Sequence, residues 1–406
     1  MVSETETTAE LMSSCSRLNR QSGLLLDRLK VEGNHPPYYV VNKAPTRGTE
    51  GNAVEYVKQQ GLTPLLSSDN GLGKLASTAR HRMRVIPTQK IVKYGPFTLP
   101  AITPEYPPFS HLLSHAISRL KELPDFSNDS KIAVMSDFGG EHKGARFNTY
   151  SILLMAYNKV GPFDTKVREL REKYGLLDPY SEFVFKDLAF GPRSRALAEF
   201  LHLIDDYIHG VVVTIAIDKR IRTVFGTSEK KAHVFIEKQL ASMDLGHWKG
   251  STAEKMLRVC HAIAVFAALT TQEKQRLLWY CDDDAINEDG RDRSFEHTRN
   301  IFVRVLSMYC QHELDIVGFG KSFAGKSHLD DLLSIPDLAA GVVQDLLQAH
   351  DTGSDAVPGC TEKEALIRWL ASQGRFLSKI TIRISKLRSG ELSSGLVQIT
   401  PVQQTR

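Results

Sequence analysis

The chain reads as an α/β protein: a mixed sheet opened by a hairpin and flanked by helices. Three observations carry this. Lys131–Asp137 and Phe147–Tyr157 are apolar strand-like runs joined through a Gly139-Gly140 turn region, the pattern of a long hairpin. From Val211 onward, apolar runs alternate with helix-period segments, as strands and covering helices do. The composition, 42% hydrophobic and 24% charged, is that of a folded domain and argues against a disordered or repeat-dominated chain.

In chain order, residues 1–15 are polar and read as a tail. Residues 16–125 form a basic accessory region: between Arg17 and Lys93 thirteen Lys and Arg residues face five acids. Its densest positive point is Arg80, Arg82 and Arg84, either a solvated loop or an arm that contacts phosphates. Recurring prolines from Pro96 to Pro108 mark a connector, followed by a helix over Phe109–Leu123. The main domain spans 126–350. After the hairpin come a charged helix (Asp164–Tyr174), a short strand (Glu182–Asp187), a helix (Arg193–Ile208) and the most strand-like run in the chain, Val211–Asp218. Helices over Lys230–Met243 and Ala253–Ala268 precede a strand (Arg276–Asp282), a helix (Glu296–Tyr309), a strand (Leu314–Phe319) and a helix (Asp330–Gln348). Apolar residues of the Ala253–Ala268 helix point to core packing or a homodimer interface. Residues 351–406 form a C-terminal extension with a helix (Glu362–Ser372) and a strand (Ile380–Ile384).

Several function classes drop out early. No apolar run approaches the roughly 20 residues that span a bilayer. The first ten residues carry acids where a secretory signal carries a basic and then an apolar region, so the expected location is the cytoplasm. Five widely spaced cysteines without a Cys-x-x-Cys pair suit neither a disulfide framework nor a thiolate zinc site. A net charge of +4 leaves the question of a nucleic-acid partner to local patches.

Acids recur where strands end: Asp137, Asp218 and the run Asp282-Asp283-Asp284, with Asp337 inside an apolar helix. Carboxylates gathered on one rim of a sheet repel unless a cation lies among them, and divalent ions held in this way hydrolyse phosphodiesters. Ser136-Asp137-Phe138-Gly139-Gly140-Glu141-His142, Glu182–Asp187, Val211–Lys219 and Ser334–Gly341 follow one another in an order and spacing that resemble the domain of unknown function 3800 family. The resemblance covers Lys131 to Gln348. It implies a ribonuclease H-like fold and a nuclease dependent on Mg2+ or Mn2+, with Asp137, Glu141, Asp218, Asp283 and Asp337 as catalytic acids. Of these, Asp137, Asp218, Asp283 and Asp337 would hold metal. Lys219 and the Arg80, Arg82 and Arg84 cluster would grip the backbone of DNA or RNA. Phe138 stands where the family usually has an acid, and Ser334 where it has glutamine. A first-turn position for Pro336, with Ser334 as N-cap, would accommodate the proline.

Two other readings stand beside this one. The sheet could serve as a catalytically silent module that binds nucleic acid or protein. Alternatively, Gly320-Lys321-Ser322-Phe323-Ala324-Gly325-Lys326-Ser327 fits a phosphate-binding loop, with Lys326 and Ser327 on a nucleotide. The chain ahead of the C-terminus lacks the apolar strand ending in an acid that such a loop needs, which favours a Gly/Lys connector.

Overall fold

The computed structural model describes residues 93–289, 291–322, 328–353 and 361–399. Arg80, Arg82, Arg84 and residues 323–327 of the loop-like segment lie outside the described residues.

A short ribbon pairs β1 (Lys93–Tyr94) with β2 (Leu123–Pro124), and between them lies α1 (Pro108–Ile117). Helix α1 opens on a proline, whose missing N–H is no loss in a first turn. It ends at Ile117, earlier than its apolar content predicted, because the chain turns to make β2. The hairpin follows as expected: β3 (Lys131–Gly139) pairs antiparallel with β4 (Phe147–Ala156). Then come α2 (Gly161–Tyr174), α3 (Gly191–Tyr207), β5 (Gly210–Asp218), α4 (Glu229–Ser242), α5 (Gly250–Thr270), β6 (Arg276–Cys281), α6 (Phe295–Tyr309), β7 (Ile316–Lys321) and α7 (His328–Asp351). The chain closes with α8 (Thr361–Ala371), β8 (Leu377–Lys386) and β9 (Leu392–Leu396).

Seven strands form one mixed sheet in the order β7-β6-β3-β4-β5-β8-β9. Strand β4 is antiparallel to both neighbours, and β6 and β7 extend the sheet parallel to β3. The C-terminal segment adds β8 parallel to β5, with β9 antiparallel at the edge. Every residue of β5 is buried, which explains its unbroken apolar run: helices cover both faces. Alternation along the strand sends Val211, Val213, Ile215 and Ile217 into a core shared with α5 and α6, while Val212 and Ala216 enter a second core shared with α3 and α7. Among the described residues no helix is long and apolar enough to cross a membrane.

Two expectations fail for local reasons. Residues 182–187 are not a strand; they end in a 3-10 turn over Phe185–Asp187. The Phe183 ring stacks on Phe200 of α3 at 4.1 Å, and the Phe185 N–H donates to a carboxylate, not to a sheet ladder. Pro336 is not in a first turn either. It lies inside α7, where it removes the hydrogen bond to the Leu332 carbonyl, while Ser334 Oγ donates back to the Asp330 carbonyl at 2.9 Å.

Candidate active site

Two central parallel strands set the geometry. In the β3–β6 register Ser136 faces Cys281, so Asp137 stands beside Asp282 one step further on. Pleating puts Met135, Asp137 and Tyr280 on the sheet face that α7 crosses, and Asp282 follows the same alternation. Helix α7 reaches this face closely because the crossing residues are small. A Cβ on Gly139 would come within 2.7 Å of Thr149 Oγ1 and 3.5 Å of the Ala340 methyl. A Cβ on Gly341 would run into the Phe185 ring at 2.2 Å. This close approach brings Asp337 against Asp137.

The two carboxyls are half-buried and share a hydrogen bond, which needs one proton between them. Burial raises Asp137 well above the usual carboxylate range; the Asp337 charge and the shared bond push it the same way, and the Phe138 N–H opposes. Asp337 is also raised, by burial first, against the Phe185 N–H that donates to its Oδ2 at 2.7 Å. The two carboxyls titrate as a pair that holds one proton in common. Asp282 adds its charge to both, and Lys186 partly offsets this at Asp337.

Sequence reasoning chose Asp283 from the three adjacent acids, and the register selects Asp282. The Asp282 Oδ1 accepts from Ser322 Oγ at 2.5 Å and from the Asp283 N–H at 2.8 Å. Asp283 is exposed, with its carboxylate 3.1 Å from Lys321 Nζ. Glu141 is drawn away from the pair as well. It meets Lys255 Nζ, which also contacts Asp284 at 2.6 Å and lies 4.8 Å from the Phe138 ring centre.

Asp218 lies outside the cluster. It pairs with Phe147, and Asp137 with Ser151, so the two acids lie on either side of β4, two interstrand spacings and four β4 residues apart. That is about 10 Å across the sheet and about 13 Å along it. Burial alone would raise Asp218, yet its pKa is lowered, because Arg220 donates through its side chain at 2.7 Å and its backbone at 2.8 Å and Arg146 adds a bond at 3.2 Å. Lys219 Nζ donates to the His142 carbonyl at 2.7 Å, tying β5 to the β3–β4 connection. Arg146, Arg220 and Ser322 escaped sequence reasoning, since nothing in their spacing marks them.

Among the described residues no three His, Cys, Asp or Glu side chains stand close enough to hold an ion. Asp137 and Asp337 supply two, while Asp282 is engaged by Ser322. The donors that do meet are carboxylate oxygens, the ligands of hard divalent cations, and a proton lies between them where such a cation would put its charge. To that extent the pair fits Mg2+ or Mn2+. No family model matches the chain, and no curated protein was found to be similar to it.

Proposed function

We propose that the protein is a divalent-metal-dependent nuclease of ribonuclease H-like architecture, acting on DNA or RNA. The observation that carries this reading is the Asp137–Asp337 contact. Two carboxyls 200 residues apart in sequence are pressed together at the end of a central strand, at an electrostatic penalty that packing alone would not select. The antiparallel run β3-β4-β5, extended past β3 by parallel β6 and β7, supports the ribonuclease H-like reading.

The roles follow from the geometry. Asp137 and Asp337 are the carboxylates that would hold the cation, once the proton they share is released to solvent. Asp282, on the neighbouring strand and bonded to Ser322, would join as the third acid by turning from that hydroxyl. Bound there, Mg2+ or Mn2+ would activate water and stabilise the leaving oxygen of a phosphodiester. Arg146, Arg220 and Lys219 lie on the same rim of the sheet, where a phosphate backbone leaving the acids would pass; they replace Asp218 as the functional feature of the β5 end.

The silent binding module remains the second reading, favoured by one observation: no third ligand joins the pair among the described residues. The nucleotide reading is weaker. Gly320, the first glycine of the loop pattern, is paired with Tyr280 inside β7, and Lys321 is bound to Asp283 and to Glu288 at 2.8 Å. Incubating labelled single- and double-stranded DNA and RNA with the chain and Mg2+ or Mn2+ tests the proposal. Cleavage abolished by Asp137→Asn and by Asp337→Asn is the expected result. Intact but tightly retained substrate would favour the silent module, and a thermal shift with nucleotide lost on Lys326→Ala would favour the third reading.

A further inference from the structure

Helices α3 and α8 run side by side on the sheet face that carries Asp137 and Asp337. Near their starts Ser194 Oγ donates to the Glu362 carboxylate, and near their ends Trp369 Nε1 donates to Asp205 at 2.9 Å. Helix α3 then leads into β5 at Gly210 and α8 into β8 at Leu377, and these two residues are paired at the end of the sheet remote from the acids. Residues 182–190, which lead into α3, therefore lie toward the acid rim. Phe185 in this segment donates its N–H to Asp337, and the five residues of chain from there to Phe190 span at most about 18 Å.

Phe190 is 87% exposed, whereas the other large apolar side chains left open among the described residues, Val234 and Leu387, are aliphatic and no more than 49% exposed. Its backbone is nevertheless held. Leu188 is buried two residues before it, and Gly191, at φ +83°, and Pro192 fix the entry into α3 after it. A ring anchored at its base and left in water loses little freedom on capturing a flat partner. The exposed residues beside it in the chain are Lys186, Asp187, Gly191, Pro192 and Arg195, so its chain neighbours do not extend it into the apolar area a protein interface buries. Arg193 stands 3.3 Å from Asp187 and balances it, which leaves Lys186 and Arg195 as the exposed cations of the segment. Lys186 is near enough to Asp337 to offset part of the charge there, so this positive charge adjoins the acids.

We propose that Phe190 is a stacking platform for an unpaired base and that Lys186 and Arg195 hold the adjoining phosphates, so that the acid pair receives single-stranded DNA or RNA in preference to a duplex. A base inside a duplex has both faces covered by its neighbours in the stack, whereas an unpaired one offers a face to the ring. The inference takes its ligand from the nuclease reading and narrows it, but its test needs no catalysis. Anisotropy of labelled single-stranded DNA, single-stranded RNA and a duplex of the same sequence is titrated with the full chain in chelator. Phe190→Ala should weaken binding of both single strands about five- to hundredfold and leave the duplex affinity unchanged. Phe190→Trp should bind single strands at least as well as wild type, with its added indole emission quenched at saturation. Unchanged single-strand affinity in Phe190→Ala, an equal loss on strand and duplex, or an indole blind to bound strand would overturn the proposal. So would a dimer that Phe190→Ala converts to monomer, because the ring would then serve a second copy. Cleavage with Mg2+ is read separately: base-dependent binding without it sinks the nuclease reading and keeps the platform, while cleavage with binding indifferent to Phe190 sinks the platform alone.

Discussion

Replacing Asp137 by asparagine should stabilise the protein at alkaline pH in the absence of divalent ions. In the native chain both carboxyls of the Asp137–Asp337 pair are raised above their unfolded values. The unfolded chain therefore ionises first as pH rises. Stability that is fully present below the ordinary carboxylate range, about pH 4, is lost as pH climbs through the folded pair's titration. Two unit charges about 4 Å apart repel by about 4 kcal/mol at an effective dielectric of 20, which bounds the loss when both ionise. An asparagine at 137 offers an N–H to Asp337 at every pH and removes the clash. We expect Asp137→Asn to exceed wild type at pH 8 by about 1–3 kcal/mol, or roughly 2–6 °C in Tm, and to match it near pH 4. Scanning calorimetry in chelator from pH 4 to 8 measures this. A variant less stable than wild type at pH 8, or a gap that does not change with pH, would refute the shared-proton argument.

Three further outcomes follow from the same structure. Gly341→Ala drives a methyl into the Phe185 ring and should cost about 1–3 kcal/mol by chemical denaturation; nuclease activity should fall further than stability, because the Phe185 N–H that holds Asp337 is displaced. Arg171→Ala takes the guanidinium from buried Asp331, leaving it beside the Asp164 carboxyl with Tyr180 as a hydrogen-bond donor, and should destabilise by about 3–5 kcal/mol in urea, with Asp331→Asn in the same background recovering part of the loss. Pro336→Ala restores a helix N–H and should leave Tm unchanged or higher; a drop in Mn2+ affinity would accompany it if the proline sets the angle at which Asp337 meets Asp137.

Sequence patterns sufficed for the elements whose burial is one-dimensional. The apolar run of β5, the β3–β4 hairpin and the long α5 helix each announce themselves because every face, or every third or fourth residue, is enclosed. The edge strand β9 did not, since Leu392–Leu396 mixes serine and glycine with leucine and pairs on one side only. Residues 182–187 were misjudged because aromatic and β-branched content marks a strand only when a neighbouring strand receives its backbone. The site shows the same division. Asp137 and Asp337 were identifiable from motif order, but choosing among Asp282, Asp283 and Asp284 required the register of β6 against β3. Asp218 looked equivalent to Asp137 from sequence; only the fold places Arg146 and Arg220 on it. The small residues at 139, 340 and 341, which let the helix approach the sheet, carry chemistry only indirectly and gave no catalytic signal.

The central claim is that Asp137 and Asp337 form the seat of a divalent cation. Anomalous diffraction from crystals soaked in Mn2+ tests it most directly. The account predicts a peak within ligand distance of both carboxylates, with Asp282 turned from Ser322 toward it. Full occupancy elsewhere, with the acid pair still in hydrogen-bonded contact, would contradict it.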